Sequence, residues 1–195
     1  TDGLGLDKAG VKPDERGLIK TDSDKRTANP SVFAIGDVTG GVMLAHKAAH
    51  EAHVAIDAIL GTGTAGPEPV IPAVVFTDPE VAWCGLTENE SRTRNIPVQV
   101  VKFPWMASGR AITIDRPDGV TKLLIDPATE KILGAGICGK GAGELIAEAV
   151  LAVEKGMTAK ELGQTVHAHP TLSESLMECA EMFYGQATYA FSRKR

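Results

Sequence analysis

Nine consecutive residues, Gly61-Thr62-Gly63-Thr64-Ala65-Gly66-Pro67-Glu68-Pro69, contain three glycines and two prolines. Glycine opens left-handed backbone and proline removes an amide donor, so neither a helix nor a sheet ladder runs through such a stretch. The segment reads as a linker or an exposed domain boundary. It divides the 195 residues into 1–69 and 70–195, a length sufficient for one large domain or two small ones.

The two sides differ in pattern. Residues 1–30 are polar and rich in turn formers, with Gly17–Thr21 a short strand candidate. Val32-Phe33-Ala34-Ile35 is a continuous apolar run ending in Gly36-Asp37, the pattern of a buried parallel strand. Met43 to Leu60 reads as one helix, with Ala45, Ala48, Ala49, Ala52, Ala55, Ile56 and Ile59 forming a small-residue face for close packing. Beyond the linker, strand-like runs occur at Ala73–Thr77, Val81–Cys84, Val98–Phe103, Val120–Ile125 and Ile132–Cys138. Thr87-Glu88-Asn89-Glu90 and Thr158-Ala159-Lys160-Glu161 are capping boxes that open short helices, and Glu144–Lys155 and Leu172–Tyr184 read as amphipathic helices. Strands followed by helices predict an α+β domain built on an antiparallel sheet.

Composition narrows the function classes. Hydrophobic residues make up 43% and charged residues 23%, as in an ordinary soluble globular protein. The net charge of −5 excludes a general nucleic-acid binder, which needs a basic face for phosphates. Arg193-Lys194-Arg195 is too short to make one and reads as a solvated tail. No apolar run reaches the roughly 18 residues of a membrane span. The start Thr1-Asp2-Gly3 shows no initiator Met and no signal peptide, and reads as the interior of a longer protein. Cys84, Cys138 and Cys179 are odd in number and form no CxxC or CxxxxC pair; they read as core residues in a reducing compartment.

Four constellations carry possible chemistry. Gly134-Ala135-Gly136-Ile137-Cys138-Gly139 spells GxGxxG, but it lies within a strand and no βαβ unit follows, so it reads as a glycine-rich strand and turn. His46 and His50 share a helix face, yet no acidic or Cys ligand completes a metal set. Asp37 follows Gly36 at the end of an apolar run, where a carboxylate can accept hydrogen bonds from polyol hydroxyls or simply close a turn. The helix starting near Met43 would direct unpaired N–H groups and a positive dipole end towards the same place. In His167-Ala168-His169-Pro170-Thr171-Leu172-Ser173-Glu174, an imidazole outside a helix start meets a first-turn carboxylate if the chain folds back at Pro170. Such a pair is a proton acceptor. The same letters also fit a Thr171–Glu174 capping box without catalysis.

Several segments together resemble the pyridine nucleotide–disulfide oxidoreductases, in wording nearest to their dihydrolipoamide-oxidising branch. Thr27–Asp37 is similar to the family's second FAD motif, and Met43-Leu44-Ala45-His46-Lys47-Ala48 to its flavin-facing helix start. Ile71–Trp83 and Phe103–Ala111 resemble its dimerisation domain, and His167–Glu174 its catalytic His–Glu segment. The resemblance implies that 1–69 is the C-terminal segment of an α/β FAD-binding domain and 70–195 an α+β interface domain. It further implies that Gly36 and Asp37 meet the ribityl chain of FAD and that Met43, Leu44, Ala45 and His46 line the flavin. His169 would be the acid–base catalyst, oriented by Glu174, with Pro170 following a cis peptide bond and His167 in a supporting role. FAD and NAD as cofactors, a homodimer, lipoyl domains of 2-oxo acid dehydrogenase complexes as partners and a bacterial cytoplasmic location follow from the same resemblance.

The family's N-terminal GxGxxG, its CxxxxC redox disulfide and its NAD domain have no counterpart in these residues. The sequence therefore reads as the C-terminal portion of such an enzyme, whose His–Glu pair serves the other subunit. Two alternatives stand beside this reading: an isolated association module without activity, and a sister reductase of the glutathione or mercuric type.

Overall fold

The computed structural model describes residues 1–63, 66 and 68–190; Thr64, Ala65 and Pro67 of the glycine–proline segment and the Arg193-Lys194-Arg195 tail lie outside the described residues. The chain divides into two compact units, Thr1–Glu68 and Pro69–Arg195.

The first unit is mostly turns, followed by a 3₁₀ turn at Gly36–Thr39 and one long helix, α1 (Ala45–Leu60). Its described core consists of Val11, Ile19 and Ala34, with Leu6, Ala9, Val32 and Val38 packed around them. The buried parallel strand expected at Val32–Ile35 does not form. Phe33 makes only an antiparallel bridge to Arg26, and Ile35 is exposed. A parallel strand needs parallel neighbours on its edges, and among the described residues of this unit only the antiparallel segment Lys25–Thr27 lies beside it. The Gly17–Thr21 strand is absent for the same reason: Ile19 donates one backbone bond to Val38 and no ladder follows. Helix α1 starts two residues later than the sequence indicates and ends at Gly61 in the left-handed region. Its expected packing face is largely uncovered, since only Glu51 and Ala55 are buried and Ala45, Ala49, Ile56 and Ile59 are exposed.

The second unit is an antiparallel sheet with helices. Among the described residues, five strands pair in the order β1-β2-β5-β4-β3: β1 (Ala73–Val75), β2 (Glu80–Gly85), β3 (Gln99–Pro104), β4 (Val120–Ile125) and β5 (Ile132–Gly139). Helices α2 (Glu88–Thr93) and α3 (Gly109–Thr113) lie in the connections, followed by α4 (Ala142–Glu154), α5 (Ala159–Gln164) and α6 (Glu174–Tyr184). Both capping boxes form as read, with Thr87 and Thr158 each exchanging bonds with the Glu three residues on.

Alternation along β2 sends Ala82 and Cys84 inward and Val81 and Trp83 outward. Helix α4 packs on β2 and β5, α6 packs on β3 and β4, and α5 packs on α6. The core between them includes Phe103, Trp105, Leu123, Ile137, Ile146, Leu162 and Leu176. The glycine-rich strand owes its composition to this packing. A Cβ on Gly134 would lie 2.1 Å from the Leu86 carbonyl oxygen, and one on Gly139 would lie 2.4 Å from the Trp105 ring. No helix among the described residues is long and apolar enough to cross a membrane.

Candidate functional site

Helix α5 stops at Gln164 because Thr165 turns to extended backbone, and α6 does not begin until Glu174. The intervening loop carries His167 and His169, and the His169–Pro170 peptide is cis. His167 is an anchor. Its Nδ1 meets the Thr165 carbonyl at 2.7 Å and its Nε2 meets Glu148 of α4 at 2.6 Å, leaving 6% of its side chain exposed.

His169 is placed differently. Its Nδ1 lies 2.9 Å from Glu174 Oε1, and its side chain is 62% exposed against 13% for Glu174. The other carboxylate oxygen accepts the Thr171 N–H at 2.7 Å. One largely buried acid therefore grips both the loop backbone and the imidazole. A carboxylate accepts, so Nδ1 is the donor and Nε2 carries the lone pair. The ring can take a proton at Nε2, and Glu174 stabilises the charge that the ring then acquires.

The Thr171–Glu174 capping box does not form as such. The N-cap of α6 is Ser173, without a side-chain cap, and the Thr171 hydroxyl donates to the Ala168 carbonyl. Only the Glu half of the box persists, the Thr171 N–H donating to Glu174 Oε2 while Oε1 takes the imidazole.

The first turn of α6 is held from below. Trp105 Nε1 donates to Thr121 Oγ1 at 2.9 Å, and Thr121 Oγ1 donates to Ser175 Oγ at 2.8 Å, all within the core. This chain of hydrogen bonds ties the residue next to Glu174 to β4. After α6 the chain turns at Gly185, and the Tyr189 ring comes to lie beside His169, with centroids 6.4 Å apart and planes 21° from parallel.

In the first unit, Asp37 is exposed on the Gly36–Thr39 turn rather than at a strand end. Gly36 is buried, with φ +75° and room for no more than a close approach: a Cβ there would lie 3.1 Å from that of Ala48. Its N–H donates to Glu51 Oε2 at 2.7 Å, while Glu51 Oε1 pairs with Lys47 at 3.1 Å and Lys25 at 3.2 Å. Burial pushes the Glu51 carboxyl up, but the Gly36 N–H and the Lys47 and Lys25 ammonium groups outweigh it and hold the carboxyl below its ordinary value. Lys47 also reaches the Gly36 carbonyl and Thr39, so the turn bearing Asp37 is tied to α1. Met43, Ala45 and His46 are exposed, Leu44 is half-buried, and α1 has no side-chain cap at its N-terminus. Such an end attracts negative charge.

Burial pushes the thiols of Cys84 and Cys179 up to about 12, and neither is a thiolate near neutrality. Among the described residues, no group of three His, Cys, Asp or Glu side chains is placed to hold a metal ion.

Glu51, Glu148, Ser175, Glu178 and Tyr189 were not singled out from the sequence. For one of them a signal existed. Glu51 is flanked at helical spacing by Ala48 and Ala55, a carboxylate on an apolar face.

Residues 71–180 match the family described as pyridine nucleotide-disulphide oxidoreductase, dimerisation domain, and residues 1–52 match pyridine nucleotide-disulphide oxidoreductase. Curated relatives include the dihydrolipoyl dehydrogenase of Vibrio cholerae, 48% identical over 95% of this chain and 39% of the relative. That of Thermus scotoductus is 49% identical over 99% of this chain and 42% of the relative. Among solved structures, LpdA of Mycobacterium tuberculosis superposes with a TM-score of 0.88 at 30% identity, covering 94% of this chain and 40% of the other. The HOCl-induced flavoprotein disulfide reductase RclA of Escherichia coli gives 0.85 at 29% identity, covering 92% and 42%. The chain thus spans about two fifths of the length of the proteins it matches.

Proposed function

The chain belongs to the pyridine nucleotide–disulphide oxidoreductase family, and we propose that it supplies the proton-handling end of a dihydrolipoyl dehydrogenase. The observation that carries this reading is the His169–Glu174 pair: an exposed imidazole with its Nδ1 bonded to a largely buried carboxylate. In the proposed reaction His169 Nε2 takes the proton from one thiol of dihydrolipoamide, a group borne by the lipoyl domains of 2-oxo acid dehydrogenase complexes. The resulting thiolate is the nucleophile towards a disulfide. That disulfide does not come from this chain, since Cys84 and Cys179 are buried with raised thiols and Cys138 pairs with neither.

The first unit, read as a segment of an FAD-binding domain, fits one side of a flavin. Gly36 and Asp37 would meet the ribityl hydroxyls, and Met43, Leu44, Ala45 and His46 at the uncapped start of α1 would face the ring. FAD held there would supply the electron transfer between the thiols and NAD. The uncapped N-terminus of α1 would favour negative charge gathered on a group bound there.

The second unit, read as the interface domain, exposes Val75, Phe76, Val81 and Trp83 around β1 and β2. An apolar surface of this kind suits pairing with a second copy, and we assign the protein a homodimer in which His169 serves the partner subunit. Bacterial relatives and free thiols support a cytoplasmic location.

The test is turnover of the complete flavoprotein carrying these residues, with NAD and dihydrolipoamide, against oxidised glutathione and mercuric ion with NADPH. Efficient dihydrolipoamide oxidation alone supports the assignment. Preference for either rival substrate transfers it to a sister reductase. For the 195 residues expressed alone, the small described core of the first unit, Val11, Ile19 and Ala34, favours the association module. Gel filtration with an absorbance scan then gives a colourless dimer, whereas flavin absorbance with lipoamide turnover would overturn that reading.

A further inference from the structure

We infer that Tyr189, held by Glu178, is a positioning residue for His169. The inference rests on the reading of His169 as the acid–base group. Glu174 fixes that ring at a single atom, Nδ1, and a ring exposed over 62% of its surface can still pivot about one hydrogen bond. A second contact is needed to define the direction of Nε2. Tyr189 provides it. Its ring lies 6.4 Å from the imidazole, nearly parallel, within the range in which ring pairs attract.

Tyr189 belongs to no helix or strand, so something else must hold it. Helix α6 ends at Gly185, and the chain folds back so that the N–H groups of Thr188 and Tyr189 both donate to Glu178 Oε2, at 3.0 and 3.2 Å. Glu178 is 1% exposed, and its Oε1 has no hydrogen-bond partner among the described residues. A carboxylate buried with one oxygen unpaired is costly to the fold. What Glu178 accomplishes is to seize two consecutive amides and so set the position of Tyr189. Glu174 and Glu178 are one helical turn apart: the first holds the imidazole, and the second holds the ring beside it.

The experiment uses the complete flavoprotein with dihydrolipoamide as substrate. Alongside turnover, the rate at which diethyl pyrocarbonate modifies His169 is followed by peptide mass spectrometry. Tyr189→Ala lowers kcat about tenfold while KM stays within about twofold, as for loss of alignment rather than of binding. It also speeds modification of His169. Tyr189→Phe keeps the ring and restores both readouts, which a general loss of folding would not allow. In a Glu178→Gln background, Tyr189→Ala adds less than it does alone. Wild-type kcat and modification rate in Tyr189→Ala would overturn the inference, as would a Phe variant as defective as the Ala variant. If the unmodified protein fails to oxidise dihydrolipoamide, the functional reading fails, and the modification rates alone decide whether Tyr189 shields His169.

Discussion

The two units hold their candidate functional residues in opposite ways. In Pro69–Arg195 the described core contains twenty buried residues, and every helix of more than six residues has a packed face. In Thr1–Glu68 the described core contains three, and α1 leaves Ile56 and Ile59 in solvent. His169 and Glu174 are bonded to one another on a scaffold that is complete in itself. Asp37 and the start of α1 are positioned by a single buried carboxylate, Glu51, and a pair of lysines. A packed core gives rigidity through many weak contacts, whereas an ion-paired turn gives it through few strong ones. The second arrangement is therefore the more sensitive to pH and salt.

The comparison can be broken most forcefully in the second unit. Trp105→Ala removes a fully buried side chain and the donor of the Trp105–Thr121–Ser175 chain, and costs about 3–5 kcal/mol. Denaturant unfolding monitored in this unit measures it, and a loss under about 1 kcal/mol would mean that the core is far looser than its burial indicates.

Next comes the first unit. Glu51→Gln weakens charge-assisted bonds to Gly36, Lys25 and Lys47 and costs about 1–3 kcal/mol there. Because the folded carboxyl lies below its ordinary value of 4.5, its contribution is present above that pH and is lost as pH falls through the lowered value. The Gly36 amide signal followed by NMR during acidification reports this loss. It should move before any signal from β4 and β5, and simultaneous loss in both units would erase the distinction between them. The smallest effect is local. Thr158→Ala removes the cap of α5 and costs about 1 kcal/mol, read as faster exchange of the Glu161 amide with little change elsewhere.

The same contrast explains what was legible in the sequence. Thr87–Glu90 and Thr158–Glu161 are complete within four residues, so the letters suffice for the structure. Val120–Ile125 forms as read because β3 and β5 supply its edges. Val32–Ile35 has the letters of a buried strand but has no parallel neighbour among the described residues, and apolar composition alone does not make a ladder. Thr171–Glu174 has the letters of a capping box, yet Glu174 is shared with an imidazole brought round by the loop. Glu178 and Tyr189 are eleven positions apart and meet through a reversal after α6, which no local spacing encodes.

The central claim is that His169 moves the thiol proton. Stopped-flow reduction of the complete flavoprotein by dihydrolipoamide, in wild type and His169→Gln, tests it most directly. The account predicts a loss of at least about a hundredfold in that step, with flavin reduction by NADH unchanged. Reduction by dihydrolipoamide at the wild-type rate in the His169→Gln protein would contradict it.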